Sequence, residues 1–441
     1  MPDVAIYCQV HQPYRLRGLR VFDIGRGYDY FDDAANRRIV ERVAAKCYLP
    51  ANRLLTDLIR RSDGEFRVAL SLSGVLVEQL AAYAPDALAS FRELVATGGV
   101  ELLGETYHHS LSALADPEEF RAQVRLHARV LDREFGVRPH VFRNTELIYS
   151  DALAPLIAGL GFRAVLAEGA DRVLGWRSPN YVYEAATAPG LRLLARNYRL
   201  SDDVAFRFSE RSWSEWPLTV DKYADWIAAS GGDSVHLFID YETLGEHQRE
   251  ETGIFEFVRQ LPEAFARRGI RTVHPSTLAS RPPVGALSFP TPTSWADLER
   301  DVSAWLGNGL QESAQRRLYR LAPAVRACDD PSLLERWRRL TTSDHLYYMA
   351  TKWTADGDVH TYFSPYDTPY DAFVVFMNVM QDLEQTVATR LTRASDAWLD
   401  TEIGYGMLDL ATCGADPDDG ADVADALGAA LSQRLAEHAV S

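Results

Sequence analysis

Residues 117–150 read PEEFRAQVRLHARVLDREFGVRPHVFRNTELIYS, and two structural periods meet in them. The first twenty residues open on proline and two acids and stop at Gly136, as a capped amphipathic helix does. After a short turn, HVFRN at 140–144 has the length and apolar centre of a buried strand. A helix that returns the chain to such a strand is one unit of a parallel β/α fold. The strand then ends on Arg143, Asn144, Thr145 and Glu146. A carboxylate at that position is either a cap or ion-pair partner for the following helix or a group held ready for chemistry, and Glu146 alone does not decide between them.

The same unit recurs on both sides. Short apolar runs appear at 4–10 (VAIYCQV), 66–73 (FRVALSLS), 100–105 (VELLGE), 164–169 (AVLAEG), 191–197 (LRLLARN), 235–240 (VHLFID) and 271–275 (RTVHP). Amphipathic stretches separate them, among them PANRLLTDLIRRSDG at 50–64, with Leu54, Leu55, Leu58 and Ile59 on one helical face. Seven or eight such units in under 300 residues predict an α/β fold with a closed or nearly closed barrel over residues 1–290. The Pro-rich segment 280–300 breaks the rhythm, and the chain from 291 to 395 reads as a helical domain. Residues 396–441 form a tail with an acidic, glycine-containing hinge and a last amphipathic helix.

Composition narrows the function classes. The 441 residues carry 62 acidic and 46 basic side chains, a net charge of −16, so a nucleic acid would meet net repulsion and is not expected as a partner. No apolar run approaches the roughly 20 residues of a membrane span. The N-terminal MPDVAIYCQVHQ lacks the sections of a signal peptide, so a cytoplasmic protein is expected. Cys8, Cys47, Cys328 and Cys413 lie scattered without CxxC spacing and read as packing residues.

In a β/α barrel the loops after the strands build the site, so the strand ends can be read in order. They supply His11 and Gln12, then Glu105, His108 and His109, then Arg143 and Glu146, then Asp240, Glu242, Glu246 and His247. No GxGxxG, GxxxxGK[ST] or GxSxG accompanies them, so neither a nucleotide cofactor nor a serine nucleophile is expected. Two carboxylates from different strands are what glycosidic cleavage needs, one for the anomeric carbon and one for the leaving oxygen. Glu146 and Asp240 are the best placed pair.

Five stretches carry a family resemblance: HQP at 11–13, GGVELLGETYHHSL at 98–111, FRNTELIYSD at 142–151, IDYETLGEH at 239–247 and SDHLYYMATKW at 343–353. Their order resembles the five sequence regions of glycoside hydrolase family 57, in its α-amylase branch. The resemblance implies an incomplete (β/α)7 barrel followed by a C-terminal helical domain, retaining chemistry on an α-glucan or malto-oligosaccharide, and no cofactor or metal. It implies Glu146 as nucleophile and Asp240 as acid/base. His11 and His247 would then meet the sugar, with Gln12, Glu105, His109, Arg143 and Glu242 as further substrate-facing groups. Trp213 and Trp353 are candidate stacking platforms, as are Tyr347 and Tyr348, and Asp344 and His345 would close one side of the cleft.

Competing readings follow from the same residues. A 4-α-glucanotransferase shares the glycosyl-enzyme step and differs in what arrives second. A metal-dependent polysaccharide deacetylase would use the strand-end histidines as ligands, although no paired histidines at one-turn spacing support it. A non-catalytic α-glucan-binding protein would have lost Glu146 or Asp240, and both are present.

Overall fold

The computed structural model describes residues 1–352 and 364–413, with side chains as far as residue 392. Ten strands follow in chain order: β1 (Asp3–Val10), β2 (Val68–Leu72), β3 (Val100–Leu102), β4 (Val141–Arg143), β5 (Ala164–Glu168), β6 (Val182–Ala185), β7 (Arg192–Arg196), β8 (Ser234–Asp240), β9 (Arg271–Thr272) and β10 (Ala286–Leu287). Each of the eight predicted runs contains a strand. β6 and β10 were not expected; β6 runs antiparallel to β7, whereas every other pairing is parallel. Strand β1 is buried along nearly its whole length, as a parallel strand covered on both faces must be.

The strands fall into two five-stranded sheets rather than one continuous ring. One has the order β3-β2-β1-β8, with β9 also beside β1, and the other the order β10-β6-β7-β5-β4. They touch through sparse bonds. Gly104 bridges Phe142 beyond the end of β3, and Asn197 donates its backbone N–H to the His236 carbonyl at 2.8 Å beyond the end of β7. The ladder thins at the first link because β3 and β4 are only three residues long. Gly104 is required there: a Cβ would lie 2.6 Å from the Phe162 ring.

Ala5, Tyr7, Ala69, Leu103, Val141, Leu166, Leu194 and Phe238, all from strands or their ends, form a core between the sheets that is closed to solvent. A second cluster, including Phe120, Val124, Phe142, Val165 and Leu193, joins the outer face of the second sheet to its helices. The helix predicted at 117–136 is Pro117–Phe135, capped by Asp116 at its start and by left-handed Gly136 at its end. Helices Asp33–Val43 and Leu49–Arg61 are joined by a π-helical turn, Ala44–Tyr48. Such turns re-aim side chains, and this one directs Tyr48 towards the end of β8, where its hydroxyl bonds Glu242.

One compact unit spans Met1–Glu384, and the residues after it belong to a second unit. Past residue 290 the chain is tied to the strand-end loops by bridges Tyr149–Thr293 and Ser110–Thr342 and by the Ser343 N–H donated to the His109 carbonyl at 2.9 Å. The tail helix expected near the C-terminus lies outside the described residues. No described helix is long and apolar enough to cross a membrane.

Candidate active site

A cavity of about 660 Å³ opens at the C-terminal ends of the strands, within the range of roughly 300–1,000 Å³ common for ligand sites. Glu146, Asp240, His11, Gln12, His109, Arg143, Glu242, His247 and Asp344 all line it. Glu246, Tyr347 and Tyr348 line it as well, so the structure gathers candidates from four strand ends and from the later segment 344–348. Glu105, Trp213 and His345 do not line it. Glu105 is fully buried behind the wall, Trp213 packs edge-on against Trp226 with ring centroids 6.1 Å apart, and the His345 ring turns to the Arg339 carbonyl at 3.2 Å. None of these three side chains faces the cavity. Trp353 lies outside the described residues.

Glu146 sits just past β4 in a short 3-10 turn, with φ +56°. Leu147 and His109 are also left-handed, at φ +52° and +51°. Such backbone costs a non-glycine residue on the order of 1 kcal/mol or more and persists where surrounding contacts enforce it. The enforcing contacts here converge on the carboxylate. Oε1 faces His109 Nε2 at 3.1 Å and accepts from the Ser343 hydroxyl at 3.3 Å, and Oε2 accepts from the Trp295 indole N–H at 2.7 Å.

His109 itself bridges two acids. Its Nδ1 lies 3.1 Å from Glu105 Oε2, so both ring nitrogens meet acceptors and both are donors when the ring is charged. Burial pulls its pKa down, but the bonds to Glu105 and Glu146 outweigh that and hold it at about 9. Glu105 is pushed up by burial, yet the His109 bond and charge bring it to about 2. His109 is thus the middle of a Glu105–His109–Glu146 chain.

The His11 ring stacks on His109 with centroids 4.1 Å apart. Burial and the neighbouring positive charge keep His11 below the ordinary histidine range, since two stacked imidazoliums would repel. Its Nε2 lies 3.2 Å from Asp344 Oδ2 and its Nδ1 2.7 Å from the Ser73 hydroxyl. Both ring nitrogens of His11 are thus engaged within the protein. His247 is half-buried, and desolvation holds its pKa down to about 4.

Asp240, the last residue of β8, has a different setting. No described side chain or amide donates to its carboxylate, and burial first, then the charge of Glu146, push its pKa up to about 7. Glu242 is raised further, to about 8, by burial and by Asp240, although the Tyr48 hydroxyl donates to it at 2.5 Å. Gly245 lets this loop fold back: its φ is +109° and a Cβ would lie 2.2 Å from the Lys46 carbonyl oxygen. Arg143, between the two acids, is buried, with no hydrogen-bond partner for Nε and Nη1 among the described residues and its guanidinium 4.8 Å over the Phe238 ring.

Sequence reading missed Trp295, Phe206 and Ser343. Trp295 stands in the turn-rich stretch that seemed only to end the barrel, and the Phe206 ring stacks on it at 6.3 Å and 17°. Among the described residues, no group of three or more His, Cys, Asp or Glu side chains is placed to hold a metal ion.

The sequence model for glycosyl hydrolase family 57 matches residues 5–288, a span that takes in all ten strands but for the first two residues of β1. The chain belongs to this family. A Methanocaldococcus jannaschii protein named "Putative alpha-amylase" is 41% identical over 405 residues, covering 88% of this chain and 85% of its own. Among solved structures of similar fold are the 4-alpha-glucanotransferase of Thermococcus litoralis, with a TM-score of 0.63 and 15% identity, and the family 57 branching enzyme of Thermococcus kodakaraensis, with 0.62 and 14%. The first match covers 86% of this chain but only 59% of the glucanotransferase. The second covers 82% of this chain and 88% of the branching enzyme. At these identities the two structures speak to the family 57 fold alone.

Proposed function

We propose that this family 57 enzyme is a retaining glycoside hydrolase of the α-amylase type acting on α-1,4-glucans, with Glu146 as nucleophile and Asp240 as acid/base. One observation carries the reading: two carboxylates share a cavity, and their surroundings drive their ionisation apart. His109, Arg143 and the Trp295 N–H favour Glu146 as an anion despite burial, while Asp240 keeps its proton to about pH 7. Such a split is the mark of paired acid and nucleophile roles.

Glu146 attacks the anomeric carbon as the bond to the leaving oxygen breaks, and Asp240 passes its proton to that oxygen. Water then gives a proton to Asp240 and its oxygen to the anomeric carbon, and the ester to Glu146 breaks. Esterification removes the Glu146 charge that had raised Asp240, so Asp240 becomes the base the second step needs. Phe206 and Trp295 offer an aromatic wall for the apolar faces of glucose rings. The two sheets, joined at Gly104–Phe142 and Asn197–His236, are taken as the two arcs of an incomplete sevenfold barrel of β1 to β5, β7 and β8. The helices after residue 290 are taken as the domain that closes its cleft, bringing Ser343 and Asp344 to the site.

The fold likeness to a glucanotransferase keeps transfer as the second reading, since a sugar hydroxyl can replace water in the second step. Incubation with maltoheptaose separates them. Shorter sugars alone mean hydrolysis, longer ones mean transfer, and no change in maltoheptaose with the Glu146→Gln control equally inert overturns both.

A further inference from the structure

We propose that Trp295 is a further catalytic residue, its indole N–H holding one oxygen of the nucleophilic carboxylate, and that Arg300 and Asp202 are the positioning residues that aim it. The proposal rests on Glu146 being the nucleophile. The segment that carries Trp295 lies beyond the 5–288 span of the family match, in the connection that leads out of the sheets.

The 294–301 segment touches Glu146 twice. The indole N–H donates to Oε2 at 2.7 Å, and the Trp295 backbone N–H donates to the Glu146 carbonyl at 3.3 Å. The loop would not hold this shape unaided, because Asp297 and Arg300 are left-handed, at φ +56° and +51°. Arg300 fixes it from within: Nη1 donates to the Trp295 carbonyl, and Nη2 donates to Asp202 Oδ2 at 2.9 Å. Asp202 is buried on the helix Tyr198–Ala205, and its other oxygen accepts from Arg196 at 2.6 Å. Arg196, bonded also to Glu168 at 3.1 Å, packs 5.5 Å over the Trp295 ring. The indole is thus clamped between the Phe206 ring, the edge of Phe238 at 5.2 Å, and a buried cation that is itself held by two acids.

The distances assign different tasks to the two oxygens. Oε2 accepts one short bond from an uncharged donor, and Oε1 accepts two longer ones. Oε1, whose two bonds are the longer, is assigned the bond to the anomeric carbon, formed as the leaving oxygen departs with the Asp240 proton. Oε2 becomes the ester carbonyl and keeps its indole donor. When Asp240 takes a proton from water and the ester bond breaks, the same N–H receives the returning negative charge.

Trp295→Phe retains an aromatic ring and deletes the donor. Loss of one bond to a charged acceptor should lower kcat roughly 10- to 100-fold with KM changed less than about twofold, because the contact is made to the reacting carboxylate rather than the sugar. The acid limb of the kcat/KM profile should move to higher pH, since Glu146 loses a group that favours its anion. Arg300→Met should reproduce part of this, roughly 3- to 10-fold, and Trp295→Phe/Arg300→Met should be no slower than Trp295→Phe alone, as expected when one residue acts through the other. Multiplying losses with an unmoved acid limb, or a Trp295→Phe enzyme with wild-type kcat and profile, overturns the inference. Arg300→Lys, which keeps the charge but not the fork, serves where Arg300→Met does not fold. Glu146→Gln, assayed in parallel, separates the two levels: if it keeps turnover the nucleophile assignment fails, and if it is inert while Trp295→Phe is unaffected only the role of Trp295 fails.

Discussion

The two sides of the cavity treat the same functional group in opposite ways. On the β4 side, Glu146 stands on left-handed backbone within a ring of donors, His109, Trp295 and Ser343. On the β8 side, Asp240 follows regular extended strand and receives no donor from any described residue. Burial acts on both carboxyls and raises both. The His109 and Trp295 bonds, with the charges of His109 and Arg143, reverse that effect at Glu146. The lesson is that two buried acids in one low-dielectric space acquire different protonation states from what their neighbours can donate, and the neighbours are placed by loops rather than by the strands.

Removing the ionised side breaks the comparison outright. Glu146→Gln should lower kcat on maltoheptaose by on the order of 10⁴-fold or more, since an amide keeps the shape and cannot form the glycosyl ester. Circular dichroism should show an intact fold. Adding azide to Glu146→Ala should restore turnover and yield the β-glycosyl azide; recovery of the α-azide would instead contradict a retaining α-enzyme.

Removing the protonated side should hurt selectively. Asp240→Asn is expected to slow substrates with poor leaving groups by about 10² to 10⁴-fold while hardly touching the first step for an activated aryl maltoside. With that substrate the glycosyl-enzyme should accumulate and give a burst of phenol, because its breakdown still lacks a base. Equal slowing of both first steps would shift the acid role to Glu242.

The donor ring can be weakened without removing the nucleophile. The kcat/KM profile should fall on the alkaline side near pH 7, where Asp240 loses its proton, and on the acid side where Glu146 gains one. His109→Gln removes the central cation, so the acid limb should move up and kcat drop roughly 10- to 100-fold. An acid limb that stays put would mean His109 does not hold Glu146 ionised.

The smallest effect is on stability. Asp240 has an ordinary value of 3.8 and a folded value of about 7, so between those limits the folded chain keeps a proton that the unfolded chain has lost. Stability from this group is complete below about pH 4 and is lost as pH rises to about 7. Asp240→Asn should therefore stabilise the fold by about 1–2 kcal/mol at pH 8 and by nearly nothing at pH 4. Thermal melts at the two pH values would read the difference; equal melting shifts at both would show that Asp240 is not a strained acid.

Much of this was legible along the chain, because strand ends are local. A short apolar run that stops on a polar residue puts that residue at the rim of a parallel sheet whatever else happens, so Glu146, Asp240, His11, His109 and Arg143 could be found in order. Glu105 was found but not its facing, because a strand-end carboxylate looks the same whether it faces the cavity or the imidazole behind it. His11 could be placed but not its partners, Asp344 and Ser73, which come from 333 and 62 residues away.

By itself the sequence determined the alternating β/α order, the family and the two carboxylates, since periodicity and short motifs are carried by neighbouring residues. Which way each carboxylate titrates was decided only by the tertiary structure. The His109 cation, the Trp295 donor 149 residues away and the burial of Asp240 act through space, and electrostatic energy depends on separation and desolvation, neither of which is written in the order of the residues.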